Sequence, residues 1–187
     1  VELKTTSEMD LDITGNQQTP VVPILFPVST EEVAKIATFC NENEIPLVTV
    51  GGATNLNGGT VPNQAGIAIS LKKMDRINYI DTFNRIAQVE CGCNTLKFIK
   101  EVEKNGLLFP QNIASADRST IGGNLAISSG SPRSLFYGTT KNYALNLEVV
   151  LSDGRIINTA YDVTKLATGL NLTQLMIGSE GTIGIIT

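Results

Sequence analysis

The chain has 187 residues, 42% hydrophobic and 17% charged, with a formal net charge of −4 and no histidine. That length carries one domain, or two small lobes, with a real core. The acidic balance without a basic block argues against a nucleic-acid footprint, no apolar run nears a membrane span, and the lack of histidine removes the commonest general base and metal ligand. Residues 1–19 are polar and weakly patterned and read as an N-terminal arm with room for one helical turn. Residues 20–27 are apolar and proline-punctuated, so they read as a strand, with Pro23 at a strand end or sheet edge. Ser29, Thr30, Glu31 and Glu32 form a capping box, and Val33, Ile36, Ala37 and Cys40 then recur at helical spacing. The helix is expected to end near Asn43, before Pro46. An apolar run from Ile45 to Val50 completes a βαβ unit.

Directly after that strand comes Gly51-Gly52-Ala53-Thr54-Asn55-Leu56-Asn57-Gly58-Gly59. Four glycines in nine positions leave little side-chain bulk and open backbone conformations at positive φ. Such a loop turns its N–H groups inward as a nest for an anion. Thr54, Asn55 and Asn57 add donors without charge. The loop sits at the C-terminal end of a strand, where open α/β sheets bind ligands. The bland alternative is a glycine-rich surface turn.

Further along, residues 66–71 read as a strand and 72–79 as a polar connector. Ile80 and residues 85–90 read as strand segments around a turn at 81–84. Asn94 or Thr95 caps a helix carrying Leu96, Phe98, Ile99 and Val102, and Gly106 supplies its left-handed terminator. Gly122-Gly123 stands at a helix start, where backbone approaches a ligand closely. Asp153-Gly154 turns a hairpin between 144–151 and 155–159. Asn171 caps a short helix over 172–177, and a glycine turn at 178–184 feeds a final strand. Val1 in place of Met and an apolar end at Ile185-Ile186-Thr187 give the expectation of a fragment lacking a further domain.

Cys40, Cys91 and Cys93 are an odd number of cysteines with no secretory signal, which fits reduced thiols in the cytoplasm. Cys91-Gly92-Cys93 has a metal or redox reading. With no histidine and one further cysteine, we read it as two small residues in a strand or turn and expect no metal site. Neither a Walker A loop nor G-x-G-x-x-G at a strand–helix junction is present.

The ordered clusters Pro27-x-Ser29-Thr30-Glu31-Glu32-Val33, 49–59, 109–115, Thr120-Ile121-Gly122-Gly123-Asn124, Gly130-Ser131-Pro132-Arg133 and 178–187 resemble the FAD-binding domain of the vanillyl-alcohol oxidase / p-cresol methylhydroxylase flavoproteins. The glycolate oxidase FAD-binding subunit and D-lactate dehydrogenase branch is the most similar. The resemblance covers about 20–187. It implies an α+β domain of two lobes, roughly 20–75 and 76–187, pairing a small βαβ lobe with a larger mixed or antiparallel sheet flanked by helices. It places the FAD pyrophosphate against Thr49, Val50, Gly51, Gly52, Ala53, Thr54 and Asn55, with Leu56 alongside. Pro110, Asn112, Ser115, Thr120 and Gly123 would border the ribityl chain and flavin ring, with Gly122 and Asn124 beside them. Ala126, Ser128 and Ser129, and then Glu180, Gly181, Thr182, Ile185 and Ile186, would complete the site.

Ala53 stands where the family usually has glycine, so strain at positive φ is expected there. Covalent members attach flavin through a histidine near this loop, so the FAD here would be non-covalent. The resemblance further implies hydride transfer from a 2-hydroxy acid to flavin, with the substrate pocket and base largely in a C-terminal domain. No catalytic residue is assigned to this chain, which by itself would be inactive. The alternatives are a flavin-binding or electron-transfer module without turnover, and a UDP-N-acetylenolpyruvoylglucosamine reductase of the same fold. The closing Gly-Ser-Glu-Gly-Thr fits the hydroxy-acid branch better.

Overall fold

A computed structural model describes residues 2–5, 21–160, 163, 165 and 167–187. The chain opens with a four-stranded sheet built from β1 (Glu2–Thr5), β2 (Pro23–Phe26), β3 (Leu47–Val50) and β4 (Ile67–Ser70). Their spatial order is β1-β2-β4-β3. Strands β2 and β3 both run parallel to β4, and β1 is antiparallel to β2. Part of the expected arm is therefore an edge strand. Its backbone closes the open side of β2, which needs hydrogen-bonding groups rather than apolar alternation. The rest of that expectation, residues 1 and 6–19, lies outside the described residues, as does Pro20 at the start of the expected strand. Pro23 is the first residue of β2, where a missing N–H costs least.

Helix α1 (Thr30–Glu42) links β2 to β3, and β4 inserts between them. Ser29 caps it, its Oγ accepting from Glu32 N at 3.3 Å. The capping box closes differently from the usual pattern: the Glu32 carboxylate accepts from Val28 N at 2.9 Å, one residue before the cap. Val33, Ala37 and Cys40 form the buried stripe. Val33 and Ala37, with Ile69, Leu71, Met74, Cys91, Val150 and Ile185, make a core shared by both halves of the chain.

The expected connector at 72–79 is partly regular. A 3-10 turn at Leu71–Lys73 leads into β5 (Ile77–Asp81), which pairs antiparallel with β6 (Ile86–Val89). Asn94 caps α2 (Thr95–Lys104), accepting from Lys97 N at 3.0 Å, and Gly106 at φ 71° follows its end. Helix α3 (Ile121–Ala126) starts at Thr120, whose Oγ1 accepts from Gly123 N at 3.2 Å. Two short helical pieces follow, α4 (Ser134–Tyr137) and a 3-10 turn at Thr140–Tyr143. The last sheet has the order β8-β7-β9, from β7 (Glu148–Val150), β8 (Ile156–Asn158) and β9 (Ile185–Ile186), all antiparallel.

The hairpin turn is a three-residue loop over 152–154, with Leu151 N donating to Arg155 O at 2.9 Å. Only Gly154 takes positive φ, at 84°, so the Asp-Gly signal marks a longer turn than the two-residue form. Helix α5 (Leu172–Met176) is capped by Asn171, as its sequence indicates. A second core joins Phe98, Val102, Ile121, Leu125, Leu147, Val149 and Met176.

Candidate functional site

Four segments converge on one cleft: the loop after β3, the turn at 118–120 with α3, the turn at 178–181, and β9. The glycines explain how they come so close. A Cβ on Gly51 would lie 2.7 Å from Thr120 Oγ1, and one on Gly52 would clash with the Arg118 carbonyl. A Cβ on Gly122 would sit 2.5 Å from Cys91 Cβ. These glycines let protein backbone meet protein backbone, which is a different use from the ligand approach that Gly122-Gly123 suggested. The turn at 178–181 is tied to the end of α3 by Gly178 N to Leu125 O at 3.1 Å and Glu180 N to Ala126 O at 2.9 Å. A Cβ on Gly181, at φ 79°, would approach Thr49 Oγ1 to 2.7 Å.

Three non-glycine residues at this junction take left-handed backbone: Ala53 at 54°, Ser128 at 50° and Glu180 at 53°. The strain expected at Ala53 is present. Its methyl is buried with Val22, Ile24, Phe26, Val50 and Ala68, which offsets the cost. Among the described residues, none of the backbone N–H groups of Gly52, Ala53, Thr54 and Asn55 donates a hydrogen bond. Four consecutive amides without protein partners have the donor geometry that a nest offers an anion. Among the described residues the lining holds one charged side chain, Glu180, and neither lysine nor arginine.

The cleft brings together fifteen of the residues assigned to the site from sequence: Thr49, Gly51, Gly52, Ala53, Thr54, Asn55, Thr120, Gly122, Gly123, Asn124, Ala126, Glu180, Gly181, Ile185 and Ile186. It leaves out Val50, which is buried with Val22, Ile24, Phe26 and Ala68, and Leu56, which is 75% exposed. Ser128, Ser129 and Thr182 lie beside lining residues without lining the cleft themselves. Pro110, Asn112 and Ser115 are also outside it, because their loop is held elsewhere. Phe109 packs edge-on against Phe98 and Tyr143 at 5.1 and 5.8 Å, and Gln111 Nε2 donates to Gly138 O at 2.7 Å. Ser115 contributes through its carbonyl, which accepts from Ser119 N at 2.7 Å.

The lining also includes Ser119, Cys91, Leu71, Gly59, Thr60, Ile127 and Gly184. Gly59 and Gly184 fall inside clusters the sequence marked without being assigned to the site; the others arrive through tertiary packing. Cys91 and Cys93 are free, buried thiols. Burial pushes Cys91 up to about 12 and Cys93 to about 11, so both are neutral packing groups.

The fold and cleft define a cofactor-binding class of domain, with a glycine-lined cleft edged by unpaired backbone amides. Residues 23–160 match the family described as an FAD binding domain, and the chain belongs to that family. Its FAD-binding fold is of the p-cresol methylhydroxylase type, and FAD is its cofactor. It is 43% identical to glycolate oxidase subunit GlcD of Bacillus subtilis over 94% of this chain and 37% of that protein. It is 41% identical to D-lactate dehydrogenase of Archaeoglobus fulgidus over 88% of this chain and 37% of that protein. The solved structure of alkyldihydroxyacetonephosphate synthase superposes with a TM-score of 0.76 at 27% identity, covering 88% of this chain and 32% of that one. The chain thus spans about a third of the length of the proteins it matches. Among the described residues no helix is long and apolar enough to cross a membrane.

Proposed function

We propose that the cleft holds FAD non-covalently, with the diphosphate on the amides of residues 52–55. The single observation that carries this reading is that run of unpaired amides in a cleft whose lining has no lysine or arginine. Backbone dipoles stabilise a diphosphate without a fixed cation. Thr120, Gly123, Asn124 and Ala126, together with Gly181, Ile185 and Ile186, orient the remainder of the cofactor. The absence of histidine in the sequence supports non-covalent attachment.

In this reading the full-length protein is a flavin-dependent oxidoreductase acting on a 2-hydroxy acid of the glycolate or D-lactate type. The relatives support it, since two of the most similar carry the names glycolate oxidase subunit and D-lactate dehydrogenase. FAD supplies the hydride-accepting chemistry; this chain binds it, orients it and shields it from water. Residues 20–187 form the FAD domain in two lobes, 20–75 and 76–187, following an N-terminal segment of 1–19. A C-terminal domain supplies the substrate pocket. The three free cysteines suit a reducing cytoplasm.

Equilibrium titration with FAD, FMN and ADP tests the assignment. Saturable FAD binding with ADP competing and FMN weak is the expected result. FMN binding as tightly as FAD would overturn the pyrophosphate reading. Turnover of a 2-hydroxy acid by the full-length protein with an artificial electron acceptor tests the activity.

A further inference from the structure

One fully buried polar group stands immediately behind the cleft. Thr95, the first residue of α2, is wholly inaccessible and does not line the cleft. Its hydroxyl bonds two side chains that do. Asn124 Nδ2 donates to Thr95 Oγ1 at 2.7 Å, and Thr95 Oγ1 lies 2.9 Å from Ser119 Oγ. The backbone strengthens the link, with Thr95 N donating to Ser119 O at 3.0 Å.

Counting protons sets the direction of these bonds. The Asn124 amide nitrogen is a donor only, so Thr95 Oγ1 accepts from it. Thr95 has a single hydroxyl proton. Among the described residues it has one further partner, Ser119 Oγ, so donating to Ser119 is what keeps the buried proton satisfied. Ser119 then accepts from Thr95 and keeps its own proton free. Asn124 commits Nδ2 inward, and its Oδ1 accepts no hydrogen bond among the described residues. One hydroxyl behind the wall therefore sets a donor at Ser119 and an acceptor at Asn124.

We infer that Thr95 is a positioning residue for the cofactor, orienting Ser119 as a donor and Asn124 as an acceptor toward the hydroxyl and ring-amide groups of bound FAD. The inference rests on the reading that this cleft holds FAD. A threonine, rather than an isosteric valine, is needed at 95 because only a hydroxyl accepts from one partner while donating to the other.

The test is FAD titration of the full-length protein and of the variants T95V, T95S, S119A and T95V/S119A, each checked for its thermal midpoint. T95V is expected to weaken FAD binding by about tenfold, the worth of two ordinary hydrogen bonds. S119A is expected to weaken it by about threefold, and T95S to stay within about twofold of the parent. Because T95V already disorients Ser119, the double variant is expected to bind FAD as T95V does. A merely structural role predicts losses that multiply, and that result overturns the inference, as does T95V binding within twofold of the parent. Should T95V be too unstable to titrate, S119A decides: unchanged affinity overturns the inference, and a threefold loss supports it. Failure of the parent protein itself to bind FAD overturns the reading of the cleft, a different outcome from a parent that binds with variants that match it.

Discussion

Gly122 N donates to Cys91 O at 2.7 Å, and a Cβ on Gly122 would stand 2.5 Å from Cys91 Cβ. The contact locks the start of α3 onto the turn after β6, and both residues line the cleft. Gly122→Ala forces these segments apart, because the obstructing atoms belong to backbone and to a short buried side chain. We expect a loss of about 2–3 kcal/mol in denaturant unfolding and at least tenfold weaker FAD binding. Parent-like values for both would show that the two segments separate freely.

Ala53 sits at φ 54° and is 3% exposed. A β-branched side chain fits neither that backbone nor that space. Ala53→Val should destabilise by about 2–3 kcal/mol, combining left-handed strain with overpacking. Because the nest amides adjoin it, FAD affinity should fall with stability. Denaturant unfolding and FAD titration on the same preparation check both effects.

Burial sets the pH response of the thiols. Cys91 is pushed up to about 12 and Cys93 to about 11 from an ordinary value near 9. For a thiol with a raised folded value, the unfolded chain ionises first. The stabilisation is complete below about pH 9 and is lost as pH rises toward 11–12. Unfolding midpoints across pH 8–11 should fall at the alkaline end, and Cys91→Ala should flatten that fall. At pH 8 a thiol reagent should react only after denaturation, since Cys40, Cys91 and Cys93 are all buried.

Glu90 closes the end of the β5–β6 pair. Its carboxylate accepts from Arg76 N at 2.8 Å, Arg76 Nε at 2.9 Å and Arg76 Nη2 at 2.6 Å. The Arg76 side chain is 72% exposed and that of Glu90 is 11%. Removing the two partners should therefore have unequal effects. Glu90→Ala leaves a part-buried amide unpaired and should cost about 2 kcal/mol, whereas Arg76→Ala should cost about 1 kcal/mol or less. Denaturant unfolding of both variants gives the ratio.

A diphosphate held by backbone amides, with no lysine or arginine in the lining, implies weak dependence on salt. FAD affinity should change less than about threefold between 0.05 and 0.5 M salt. A steep loss would mean that a cation outside the lining carries the phosphate.

Local signals were legible wherever a residue acts on its own neighbours. Ser29, Asn94 and Asn171 cap their helices through bonds three residues long, and Gly106 and Gly154 mark positive φ. The glycine loop after β3 was readable for the same reason, since its conformation follows from its own missing side chains. Everything that depends on chain segments far apart had to wait for the structure. Glu2–Thr5 becomes a strand only because β2 offers an unpaired edge. Ser119 and Cys91 enter the cleft because two turns pack there, a placement that local spacing does not reveal. Thr95 reads as one more helix-start residue until Asn124 and Ser119 are found 2.7 and 2.9 Å from its hydroxyl, across 29 and 24 positions of sequence. The sequence by itself determined the caps, the turns and the glycine loop that forms the nest, which are short-range consequences of backbone chemistry. Which walls enclose that nest, and which hydroxyl orients them, only the tertiary structure decided, because long-range packing depends on shapes that no single segment encodes.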